Sequence, residues 1–186
     1  MTTDKPVVIM SQEEIAAIYS LAKERFENPM RKHSPTRHNA RSIDSQYRGA
    51  LGEYAASKWV ADVLGKDHLG EGFLDDVPTE SDLTIGGRRI EVMTALREHQ
   101  IYYGYCVPPS KLQAAKNRGS LGYLFVTVEG RSVRDRATID WYCEISKVDR
   151  APFIVQDNGI KNYICQAQDL VHPIVMIDQI KEGPRA

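Results

Sequence analysis

Ser81 to Thr94 reads SDLTIGGRRIEVMT, and the placement of its two acids decides how the chain is understood. Gly86-Gly87 between two short apolar-polar runs is the signal for a two-residue hairpin of the primed type. With the turn on those glycines, Ile85 faces Arg88, Thr84 faces Arg89, Leu83 faces Ile90 and Asp82 faces Glu91. Alternation puts Leu83, Ile85, Ile90 and Val92 on a core face, and Asp82, Thr84, Arg89, Glu91 and Met93 on the other. Opposed carboxylates, with Cβ atoms roughly 4.5–5.5 Å apart, repel unless a positive group intervenes. A Mg²⁺ ion suits two such acids, because it takes a few carboxylate oxygens together with water and phosphate. The other reading of the pair is a solvated edge hairpin eased by Arg89.

Working outward, the upstream stretch QYRGALGEYAASKWVADVLG has helical spacing from Gln46 to Leu64 and stops at Gly65. Leu51, Ala55, Trp59 and Leu64, with Val60 and Val63, supply its apolar stripe. Gly49 and Gly52 cost roughly 1 kcal/mol each relative to Ala unless another element or a ligand needs close backbone approach. Glu53 stands beside Gly52 on that face; otherwise it is an exposed helix acid. Further upstream, Val7 to Met10 is a short apolar run, and Ser11 with Glu14 forms a capping box for a helix that should end at Asn28-Pro29. Between them lies RKHSPTRHNAR, with Arg31, Lys32, Arg37 and Arg41 and no acid from Asn28 to Ile43. It reads as an extended arm, either solvated or in contact with nucleic-acid phosphates.

Downstream, Ile101 to Val107 reads as a Tyr-rich strand, and Ser110 caps a short helix that Gly119 ends. Leu121 to Val128 is the most apolar run and is expected as the central strand, followed by a strand around Thr138 to Ile145. The tail adds short apolar runs at Phe153 to Val155, Tyr163 to Cys165 and Ile174 to Ile177, their type open.

A chain of 186 residues, 42% hydrophobic and 26% charged, suits one α+β domain: a region 1–45 with a helix and the basic arm, then a core over 46–186. No apolar run reaches membrane-spanning length, and the first residues lack a signal-peptide pattern, so a cytoplasmic place is expected. Cys106, Cys143 and Cys165 show no ligand spacing and read as core residues. The net charge of −1 is silent on nucleic acid, which leaves that question to local patches.

The strings GALGEYAASKWV, SDLTIGGRRIEVMTA and SLGYLFVTV, in this order, resemble the PD-(D/E)XK nuclease superfamily over about Gln46 to Ile145. The likeness is to small phage-associated nuclease-like domains and Holliday-junction resolvases. It implies a restriction-endonuclease-like fold with a mixed central sheet flanked by helices, and a Mg²⁺- or Mn²⁺-dependent DNA endonuclease; a homodimer is compatible with it. Glu53, Asp82 and Glu91 match the family carboxylates, and Val92 stands where a backbone carbonyl ligates the metal. Arg31, Lys32, Arg37, Arg41 and Arg48 would track the DNA backbone.

The departure is Met93, at the position of the family lysine. Methionine has no charge and no donor, so it neither orients water nor stabilises charge on a phosphate. A migrated cation, with Arg89 or Arg97 as candidates, a catalytically inactive nucleic-acid- or protein-binding domain, or a disabled variant would each account for it. From a different class, the chain is an unrelated α+β protein that binds a small ligand through its Tyr-rich segment; Glu53 standing far from Asp82 would mark that case.

Overall fold

In the computed structural model, residues 4–27, 42–69, 82–129, 135–155 and 159–182 are described. The expected arm residues Arg31, Lys32, Arg37 and Arg41, and the helix stop at Asn28-Pro29, lie outside them. The elements run β1 (Val7–Ile9), α1 (Gln12–Glu27), α2 (Ile43–Leu64), β2 (Leu83–Ile85), β3 (Arg88–Leu96), α3 (Arg97–Tyr103), β4 (Cys106–Val107) and α4 (Pro109–Arg118). Then follow β5 (Gly122–Val128), β6 (Arg136–Glu144), α5 (Ile145–Val148), β7 (Phe153–Val155), β8 (Lys161–Ile164) and α6 (Pro173–Glu182).

This is an α+β fold with a mixed central sheet in the order β1-β6-β5-β3-β2 and a second sheet β4-β8-β7. β3 and β5 are parallel; the other pairs are antiparallel. All seven residues of β5 are buried because both faces are covered. Leu124, Val126 and Val128 join Leu51, Ala55 and Val60 of α2 in one core. Tyr123 and Phe125, on the alternate positions, join Val107, Leu112, Val148 and Cys165 in another. The run Leu121 to Val128 is the central strand that its composition implied.

Local signals acted where expected. Ser11 and Glu14 form the reciprocal capping box: the Ser11 N–H donates to Glu14 Oε2 at 2.6 Å, and the Glu14 N–H to Ser11 Oγ at 3.2 Å. Gly65 and Gly119 close α2 and α4 at φ of 91° and 68°. The start of α4 differs, since Pro109 opens it and Pro108, not Ser110, is its N-cap.

The larger difference is the Tyr-rich segment. Arg97–Tyr103 is a helix, and only Cys106–Val107 is strand. Gly104, at φ 71°, ends α3 by donating to the Gln100 carbonyl, so the tyrosines before it belong to the helix and Tyr105 to the connection. Ile101 and Tyr102 point outward, 73% and 74% exposed, which removes the packing that would favour them in a strand. In the tail, Ile174 to Ile177 falls inside α6, whose Met176 and Ile177 are buried in the main core. Cys143 and Cys165 are buried and Cys106 is half-buried, all as free thiols. No helix among the described residues is long and apolar enough to cross a membrane.

Candidate functional site

Gly86 and Gly87 have φ of 54° and 76°, which gives the primed turn, and the register is Leu83 with Ile90, Thr84 with Arg89 and Ile85 with Arg88. Asp82 stands just before β2, where its Oδ2 accepts the Val92 N–H at 3.0 Å. This bond fixes the acid against the middle of β3.

Gly52 explains how α2 approaches so closely. A Cβ there would lie 1.8 Å from Thr94 Oγ1, so only glycine lets the helix backbone rest on β3. Glu53, the next residue, is thereby brought to the cavity that Asp82 also lines. Its Oε2 accepts from Arg25 Nη2 of α1 at 2.6 Å. The cavity measures about 300 Å³ and gathers Glu53, Asp82, Val92 and Met93 with Arg25, Arg48, His99 and Lys111. Gly49 belongs to its wall, and the space beside its Cα is open.

Glu91 is the sequence-expected acid that does not line this cavity. Arg118, at the end of α4, grips it with Nε at 3.1 Å and Nη2 at 2.6 Å, and the Ser120 hydroxyl donates to Oε1 at 2.6 Å. Glu91 is 5% exposed, so these bonds compensate a charge taken out of water. Burial first, and then the negative charges of Glu91 and Asp82, raise the Tyr123 hydroxyl well above its usual range, with Arg118 opposing.

Neither sequence candidate for the migrated cation lies in the cavity. Arg89 donates to the Arg118 carbonyl at 3.2 Å, capping the end of α4. Arg97 is engaged by Glu129 at 3.0 Å, by Thr138 at 3.2 Å and by Asp140 at 3.7 Å. Lys111, in the first turn of α4, does line it, and it pairs with no described residue. Nothing in the hairpin's spacing points to Lys111, because its approach depends on how the β3-to-β5 crossover packs. Arg48, which the resemblance places along the DNA backbone, lines the same cavity.

Among the described residues, no cluster of three or more His, Cys, Asp or Glu is placed to hold a metal. What is present is a pair of carboxylates lining one cavity, Glu53 held by Arg25 and Asp82 by the Val92 N–H. Such a set suits a Mg²⁺ completed by water and substrate phosphate rather than a cation caged by protein alone. Compared with protein-family models, with curated proteins and with solved structures, the chain matches nothing.

Proposed function

We propose that this chain is a Mg²⁺- or Mn²⁺-dependent endonuclease of the PD-(D/E)XK type, hydrolysing phosphodiester bonds in DNA. The observation that carries this is the shared cavity of Glu53 and Asp82 with the cations Arg48 and Lys111. Acids alone would repel a nucleic acid, and cations alone would only bind it. Together they suit a metal-assisted reaction at a phosphate.

Asp82 and Glu53 would hold the ion, each kept in place by a bond to its own support, the Val92 N–H and Arg25. When bound, such an ion lowers the pKa of a water and neutralises phosphate oxygens. Lys111 and Arg48 draw the phosphate in, and Lys111 supplies the positive charge that Met93 lacks. Arg25 keeps the Glu53 carboxylate turned toward α1, which limits how its other oxygen can point.

A catalytically silent nucleic-acid-binding domain of the same fold is favoured by a different observation. Glu91 takes three hydrogen bonds from Arg118 and Ser120, and Met93 offers no donor. Oligonucleotide cleavage in Mg²⁺ and in Mn²⁺ separates the two. Asp82→Asn should lower cleavage about a hundredfold or more, and Met93→Lys should raise it. If titration calorimetry detects bound metal yet neither the wild-type chain nor Met93→Lys cuts linear, single-stranded or branched DNA, the nuclease is ruled out and the binder stands.

A further inference from the structure

Beside the acid-and-cation cavity lies a second one of about 220 Å³, and Met93, Thr94, Ala95 and His99 line both. Their linings differ in kind. Apart from His99, the second cavity has no ionisable side chain other than those of tyrosine and cysteine, and its walls include Tyr103, Tyr105 and Phe125. The Tyr105 and Phe125 rings pack with centroids 5.1 Å apart, while Tyr103 lies 4.5 Å from Tyr102, which is 74% exposed. Two aromatic pairs thus border the cavity, one of them reaching solvent through Tyr102.

Within it stands an amide that the fold does not use. Asn162 of β8 is 5% exposed, lines the cavity, and makes no side-chain hydrogen bond to the described residues. Its amide is open to the cavity space, where it offers a donor and an acceptor side by side. Nucleobase edges carry the same alternation, and their flat faces stack on aromatic rings.

Resting on the nucleic-acid function above, we infer that this second cavity receives one unstacked nucleobase of the strand whose phosphate lies between Arg48 and Lys111. The base stacks against the Tyr103, Tyr105 and Phe125 wall and pairs with the Asn162 amide, with Gln100 as a second polar contact. The lining has no lysine or arginine to hold phosphate, and the neighbouring cations take it. A base inside an intact duplex cannot reach such a pocket without leaving its stack, so single-stranded or frayed DNA is favoured over a continuous double helix.

The test is fluorescence anisotropy on the full chain, in Ca²⁺ to hold off cleavage, with two labelled single strands of equal length. One carries bases and the other is wholly abasic. The wild type should bind the base-bearing strand about tenfold more tightly. Asn162→Leu and, separately, Tyr103→Ala should each bring that ratio below about threefold, since each removes one contact to the base. Tyr103, 39% exposed, can be truncated with little risk to folding, so its variant decides the matter if Asn162→Leu does not fold. Equal binding of the two strands by the wild type, or a ratio unchanged in Tyr103→Ala, overturns the base pocket and leaves the phosphate site standing. Failure to bind either strand overturns both.

Discussion

Two acids of one hairpin, which its turn leads one to expect opposite each other, have very different surroundings. Asp82 faces a cavity and is held by a single backbone N–H, whereas Glu91 is enclosed by a guanidinium and a hydroxyl. Both belong to the same hairpin, but the partners arriving from elsewhere settled what each can do. The carboxylate that joins Asp82 in the cavity is Glu53, delivered by a helix whose glycine permits close approach. Proximity along a strand pair is thus a weaker guide to a site than the element that packs over it.

The sharpest way to break this contrast is on the enclosed side. Arg118→Ala strands a buried carboxylate and should destabilise the fold by about 2–4 kcal/mol, read from the urea midpoint. Replacing both partners, as Glu91→Met with Arg118→Met, should recover most of that loss, because neither charge then needs compensation. A double variant no better than the single one would mean that the pair contributes more than mutual neutralisation.

On the cavity side, Gly52→Ala should cost about 1–3 kcal/mol, since the new methyl meets the stiff side chain of Thr94 and pushes α2 off β3. It should also weaken any metal affinity by moving Glu53. Unchanged stability would show that the helix can settle elsewhere and that glycine is not what sets the spacing.

A smaller effect tests the support behind α2. Burial alone would raise the Glu14 carboxyl, but hydrogen bonds from Lys58, the Ser11 N–H and Tyr54, with the Lys58 charge, hold it down to about 2 from its ordinary 4.5. Because the folded value lies below the unfolded one, the associated stability is complete above about pH 4.5 and fades as pH falls toward 2. Allowing for solvent screening, Glu14→Gln should lower stability by about 1–2 kcal/mol at pH 7 and by little near pH 2. Equal losses at both pH values would assign the effect to packing instead.

Much of this was legible in the amino acids because it is local. The glycine pair and its flanking alternation specify the hairpin register, and Ser11 with Glu14 specifies a helix start. The unbroken apolar run before Glu129 marks a strand covered on both faces. Arg118 lies 27 residues beyond Glu91, and only tertiary packing brings them together. Lys111 was hidden for the same reason. The tyrosines of α3 misled because their strand preference reflects packing they do not have here.

The first described residues carry a practical lesson about where this chain can be shortened. β1 covers the outer edge of β6, the Ile139 N–H donates to the Pro6 carbonyl at 2.9 Å, and Lys5 reaches the fully enclosed Asp140, also at 2.9 Å. Trimming through Ile9 would bare the edge of β6 at Arg136 to Thr138, open to pairing with another molecule, and would remove a counter-ion from an interior acid. Tags and cleavage scars therefore belong upstream of Lys5, and chains cut closer than that should clump rather than merely loosen.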